Sequence, residues 1–283
     1  MTPQDIMARH ARSFAPAARL LAQRDRLLVA RLYALCRTID DIADDIGGPV
    51  GQGRLQNVYD DLGKENPRDP LAVEAQDLFQ GQPAGLAALA ELVRTAAADT
   101  GDTCIVNAAT LDSYCMGVAG TVGVMICAIF GVDDVHHAKA ADLGKAMQLT
   151  NICRDVAVDA AIGRRYLPYA QCPYSPQDIA AGLPEALIAA EATMADLLDQ
   201  ADVLYLSGRS ALAVLPWRLR LAVASAAAMY QGIGSMLRER QFKPLAGRAY
   251  VPNGRKVRLA SGAVLQELAR MRKLAVGSYR VSA

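Results

Sequence analysis

Aromatic residues are scarce in this chain: one Trp, four Phe and ten Tyr make up 5% of its 283 positions. Strands are enriched in aromatic and β-branched residues, so a predominantly β architecture is disfavoured. An excess of either charge is missing too. Lys and Arg number 30 against 29 Asp and Glu, a formal net charge of +1. That balance excludes a general polyanion binder, and no nucleic-acid partner is expected. No two of the six cysteines have CxxC spacing, and His10, His136 and His137 flank no cysteine cluster, which argues against a structural zinc site. The cysteines read instead as small buried hydrophobes. The N-terminal residues contain no apolar signal-peptide core, so a cytoplasmic location is expected. Sustained period-two alternation, tandem repeats and low-complexity segments are all absent.

What remains is an aliphatic chain, 52% hydrophobic, with apolar residues recurring at helical spacing. The pattern predicts helices over about 3–14, 17–45, 54–62, 70–79, 83–98, 108–131, 134–160, 184–206, 208–240 and 261–274. The fold class is all-α, and without a composition shift to divide it, residues 1–283 are expected to form a single domain. Between Asp112 and Asp133 no residue is charged. This window is long enough to cross a bilayer. Gly117, Gly120, Gly123 and Gly131 interrupt it, and the favoured reading is a buried central helix with one side left nearly bare for another helix or a ligand.

Two acidic clusters carry the chemistry. In the first, Asp40 and Asp44 are four apart, as are Asp41 and Asp45, at the end of an apolar run. Residues four apart share a helix face, where like charges are unfavourable, and the negative end of the helix dipole makes carboxylates worse still. In the second, one stripe presents Gln148, Asn151, Asp155 and Asp159. Carboxylate and amide oxygens are hard donors suited to Mg²⁺ or Mn²⁺. Arg37 and Arg154 adjoin the two clusters, and arginine binds phosphate oxygens in bidentate fashion. Acids for metal with arginines for phosphate describe a site that ionises a diphosphate. A single DxxxD stripe would more often be a solvated helix face; two, each on an apolar helix beside an arginine, are more specific.

Further motifs follow in order. They are His10-Ala11-Arg12-Ser13-Phe14, Tyr33 to Arg37 leading into Asp40, and Tyr114-Cys115 before Val118-Ala119-Gly120-Thr121-Val122-Gly123. Gly163 to Pro168, Tyr230, and Arg248-Ala249-Tyr250-Val251 complete the set. In this form the sequence resembles the squalene/phytoene synthases over nearly its whole length, and most closely the bacterial phytoene and dehydrosqualene synthases. The resemblance implies the isoprenoid synthase (trans-prenyltransferase) helical fold around a central hydrophobic cavity. It implies head-to-head condensation of two prenyl diphosphates, foremost two geranylgeranyl diphosphates to phytoene through a cyclopropyl intermediate, in carotenoid biosynthesis. A farnesyl diphosphate-using dehydrosqualene, presqualene diphosphate or squalene synthase is the alternative, and a non-catalytic assembly factor is a second.

By the same resemblance, Asp40, Asp41, Asp44, Asn151, Asp155 and Asp159 hold the metal. His10, Ser13, Arg37, Arg154, Tyr230 and Arg248 contact diphosphates, and Arg12 belongs to the substrate-binding set. Tyr33, Phe14, Ala119, Gly120, Gln148 and Tyr166 line the substrate site, with Tyr33, Arg37, Arg154 and Tyr230 counted with the acids as catalytic. Substrate and product are oily, so contact with a membrane surface is expected. One departure stands out: where the family has a glycine four residues before the acid at Asp99, this chain has Thr95, which is expected to narrow or reshape the hydrocarbon cavity.

Overall fold

The computed structural model describes residues 1–10, 14–101 and 104–281, and every regular element among them is helical. The helices are α1 (Pro3–His10), α2 (Phe14–Ala18), α3 (Gln23–Asp41), α4 (Gly48–Leu62), α5 (Pro70–Leu78), α6 (Pro83–Ala98) and α7 (Ala108–Cys115). They continue with α8 (Thr121–Ile129), α9 (His137–Ala161), α10 (Pro176–Ala180), α11 (Pro184–Ser210), α12 (Trp217–Glu239) and α13 (Asn253–Val281).

α9 is the hub. It packs against α8, α10, α11 and α12, and the largest apolar cluster runs along it through Leu149, Ile152, Cys153 and Val156 to Met194 and Leu197 of α11. Each such buried side chain contributes about 1.5–3 kcal/mol. Tyr205 of α11 is buried against α9 and its hydroxyl meets Thr150 Oγ1 at 3.1 Å, so neither polar atom is stranded in the interior. A second cluster joins α3, α4, α5, α6 and α8 through Leu35, Ile39, Leu55, Ala75, Leu89 and Met125. α13 is secured to α12 by a buried ion pair, in which Arg220 Nε donates to Glu267 Oε2 at 2.6 Å.

Several expected helices are interrupted, each for a local reason. The helix expected over 17–45 starts as α3 at Gln23, and its last turn widens into a π-helical turn, Ile42–Ile46. The chain then reverses at Gly47 and Gly48, whose φ angles of +57° and +54° suit glycine. Pro49 next occupies the first turn of α4, which therefore begins at Gly48 and not at 54. The helix expected over 108–131 is broken by a second π-helical turn, Met116–Gly120. The 208–240 helix is two elements: α11 runs on to Ser210, and α12 starts after Pro216. α10 was not anticipated; its Ser175–Asp178 capping box stabilises only five residues. α13 begins eight residues before the expected 261.

The uncharged window serves as an interior wall. Ala108–Ile129 is long and apolar enough to cross a membrane. Here it packs on α6 and α9, and its glycines permit the approach. A Cβ on Gly123 would collide with the Ala140 carbonyl, and one on Gly144 of α9 with the Ala119 carbonyl. The bare side of the helix is thus taken up mainly by other helices, while Val118, Ala119 and Val122 face a cavity.

Candidate active site

That cavity, of about 340 Å³, is lined by residues of α1, α2, α3, α6, α8, α9, α11 and α12 and of the connections between them. Its walls are mostly apolar, including Leu32, Val122, Ile126, Leu143, Met147 and Val223. At one end stand Tyr33, Asp40, Gln148, Asn151 and Tyr230. An oily chamber therefore leads directly into the acidic end of α3 and the polar stripe of α9.

The two acidic clusters meet there. Because α9 is regular through Ala161, Gln148, Asn151, Asp155 and Asp159 share one face as expected. The first cluster is different, since the π-helical turn carries Asp44 and Asp45 out of the register a plain α-helix would impose. Arg164, from the segment following α9, donates through Nη1 to Asp44 Oδ1 at 2.5 Å and also lies within electrostatic reach of Asp159. One guanidinium thereby joins the two acidic stripes.

Arginines hold Asp41, Asp44 and Asp155. Arg37 pairs with Asp41 one helical turn on. Asp155 is gripped by two guanidiniums: Arg154 donates from Nε and Nη2 at 2.9 and 2.5 Å, and Arg248 from the same atoms at 2.8 and 3.2 Å. Burial alone would lower the Arg154 pKa, but its bonds to Asp155 and Tyr230 raise it, so its charge is secure. Asp40 and Asp159 form no salt bridge among the described residues, and both are pushed up to about 7, by burial first and then by Asp44 and Asp155 respectively. Asp40 is open to solvent on its cavity side but surrounded by protein elsewhere. Burial likewise pushes the Tyr33 phenol up to about 12 and raises Tyr230, so both remain neutral hydrogen-bonding groups at neutral pH.

The donor set suits a hard cation. It consists of carboxylate and amide oxygens, two of its carboxylates are raised by burial and by neighbouring acids, and the buried Asn151 Oδ1 has no hydrogen-bond partner. Among the described residues no three carboxylates converge on a single ligating point; the acids are arranged around arginines instead.

Asp99 is a site residue whose role spacing did not reveal. Its Oδ2 accepts from Tyr114 at 2.9 Å and from Tyr166 at 3.0 Å, and the two rings stack with centroids 5.1 Å apart. Its charge also acts on Asp40 and Arg164. Only tertiary packing brings these residues together, so no local pattern announces them.

Other expected residues are placed differently. Ala119 lines the cavity, whereas Gly120 packs against Met116 and Ala141. Thr95 is absent from the cavity lining. It sits against Gly117, where a Cβ would collide with it, and its hydroxyl bonds back to the Glu91 carbonyl at 2.9 Å. The substitution therefore fills a helix-packing notch and does not narrow the chamber directly. His10 is exposed at the end of α1. Arg12 and Ser13 lie outside the described residues, as does the side chain of Phe14.

The pattern of the Squalene/phytoene synthase family matches residues 7–255. The chain belongs to the squalene/phytoene synthase family. It is 29% identical over 269 residues to the phytoene synthase of Rhodobacter capsulatus, covering 91% of this chain and 78% of that protein. It is 32% identical over 247 residues to the 15-cis-phytoene synthase of Pantoea ananas, covering 81% and 79%. A crystal structure of a dehydrosqualene synthase in complex with ligand superposes with a TM-score of 0.80 at 26% identity, covering 92% of this chain and 93% of the other. The chain is accordingly a prenyltransferase of the head-to-head condensing family, with the isoprenoid synthase helical fold.

Proposed function

We propose that the chain joins two geranylgeranyl diphosphates head to head, through a cyclopropyl diphosphate, to form phytoene. The observation that carries this reading is the apolar cavity that ends at Asp40, Asn151 and Tyr230, beside the arginine-held acids. Asp40, Asp44, Asn151, Asp155 and Asp159 would hold Mg²⁺, or Mn²⁺ in its place, with Asp41 adjoining. When bound, the metal supplies Lewis-acid stabilisation of a departing diphosphate.

The chain's own groups supply the rest. Arg37, Arg154, Arg164 and Arg248 exchange a carboxylate for a diphosphate, whose oxygens accept the same bidentate donors. Tyr33 and Tyr230, kept neutral by burial, offer phenolic hydrogen bonds at the boundary between the polar end and the tail chamber. The aliphatic walls position the tails: each buried methylene is worth about 0.8 kcal/mol, less the cost of ordering the chain. They also keep water from a reactive allylic cation, which would otherwise be quenched to an alcohol.

A farnesyl diphosphate-using dehydrosqualene synthase is the second reading, favoured by the extent of the structural match to such an enzyme. Supplying geranylgeranyl and farnesyl diphosphate separately to purified protein with Mg²⁺, with and without NADPH, distinguishes them. Phytoene from the longer substrate supports the first reading. A hydrocarbon from farnesyl diphosphate alone would replace it with the second.

A further inference from the structure

Val118 and Ala119, which line the chamber, belong to the second π-helical turn, Met116–Gly120. Such a turn departs from the regular helix, and its position depends on what packs on either side of it. On the α9 side backbone meets backbone. A Cβ on Gly144 would strike the Ala119 carbonyl, and one on Gly123 the Ala140 carbonyl, so this contact has no slack. On the α6 side a side chain meets bare backbone. A Cβ on Gly117 would lie 2.8 Å from both Cβ and Cγ2 of Thr95, and closer still to its Oγ1. The polar atoms of this pair bond elsewhere: Thr95 Oγ1 donates back to the Glu91 carbonyl at 2.9 Å, and the Gly117 carbonyl accepts from Thr121 Oγ1 at 2.8 Å. The contact is therefore one of shape. Its neighbours along α6 bear on the same wall. Leu92, three residues before Thr95, lines the chamber with Val118 and Val122. Asp99, four residues after it, accepts from Tyr114 just ahead of the turn.

Of the two sides of the turn only that of α6 can yield, and the size of residue 95 decides by how much. We propose that Thr95 is a specificity-determining residue for the prenyl tail: it backs the wall of Val118 and Ala119 and so limits the room the chamber gives a tail. Without its side chain, space would lie behind the turn, and close-packed neighbours relax into such space only in part. A longer tail could then press Val118 and Ala119 toward α6, whereas a shorter tail would gain nothing from the retreat. Thr95 acts by positioning, because it is itself absent from the chamber lining. The inference rests on the proposed condensation, which supplies the prenyl diphosphates whose tails the wall would measure.

Binding measures this without turnover. Full-length protein with Mg²⁺ is titrated calorimetrically with farnesyl and geranylgeranyl thiolodiphosphates, whose carbon–sulfur bonds ionise too slowly to react. Thr95→Gly is expected to raise the preference for the longer analogue over the shorter by about fourfold, the equivalent of one more buried methylene. Thr95→Val keeps the branched shape and is expected to keep the wild-type ratio. Adding Gly117→Ala to Thr95→Gly refills the notch from the other side and is expected to restore that ratio, a repair that general destabilisation would not show. A ratio that Thr95→Gly leaves unchanged, or moves toward the shorter analogue, overturns the proposal. So does a shift that persists in the double variant. Failure of the condensation reading is distinguishable: neither analogue then binds the wild-type chain, and both inferences fall.

Discussion

Arg164 and Asp44 are 120 positions apart in sequence and meet at 2.5 Å, so that a residue just after α9 closes the gap to the end of α3. The pair is partly open to solvent, with side-chain exposures of 24% and 53%. Such a pair is worth only about 0–1 kcal/mol to stability. Its value is in positioning charge. Arg164→Ala is expected to lower turnover by about 10²–10³-fold, the usual cost of removing one electrostatic donor, with almost no change in melting temperature. Steady-state kinetics beside thermal melts check this. A large loss of stability with normal turnover in the remaining folded protein would assign Arg164 a structural role.

Asp155 sits between Arg154 and Arg248. Asp155→Ala and Asp40→Ala are each expected to abolish metal-dependent diphosphate release while leaving helical circular dichroism intact. Full activity in either variant would remove that residue from the proposed metal ligands.

The positions of Asp40 and Asp159 carry a pH signature. Both carboxyls are raised from 3.8 to about 7. The folded chain then binds protons that the unfolded chain has released, so their favourable contribution is complete below about pH 4 and is lost as pH rises through about 7. Mg²⁺ with pyrophosphate requires the ionised forms, so its stabilising effect runs in the opposite direction and grows over the same interval. The increase in melting temperature on adding Mg²⁺ and pyrophosphate should be larger at about pH 8 than at about pH 6. Asp40→Asn should flatten that difference; an unchanged difference in both single variants, Asp40→Asn and Asp159→Asn, would rule these groups out as its source.

Glu267 is buried and accepts from Arg220 at 2.6 Å and from Arg270 at 2.7 Å. Glu267→Ala leaves the Arg220 guanidinium buried without its acid, a change that costs about 3–5 kcal/mol. Chemical denaturation should show that loss and hydrogen exchange should show α13 opening from α12. A change below about 1 kcal/mol would mean that solvent reaches the pair.

The second acidic stripe could be read from spacing alone because α9 is uninterrupted from His137 to Ala161, and regular spacing then places residues on one face. The first could be read only in part. Nothing in Ile42 to Ile46 signals a π-helical turn, which closes where the Gly47 N–H donates to the Ile42 carbonyl at 3.2 Å and where Gly51 of α4 packs close to the same carbonyl. Pro216, by contrast, was a visible breaker inside the helix expected over 208–240. Asp99 and Arg164 stood within recognisable segments, but their functions depend on partners at Tyr114, Tyr166 and Asp44 that only the tertiary fold supplies. Thr95 shows the reverse case: its identity was conspicuous, yet its neighbour Gly117 decides what it does.

The central claim is that one site ionises two prenyl diphosphates and joins their tails. The measurement that bears on it most directly is the ratio of pyrophosphate released to hydrocarbon formed, with purified protein, Mg²⁺ and labelled geranylgeranyl diphosphate. The account predicts phytoene with two pyrophosphates released for each molecule formed. Release of pyrophosphate with only the prenyl alcohol as product, or no release at all, would contradict it.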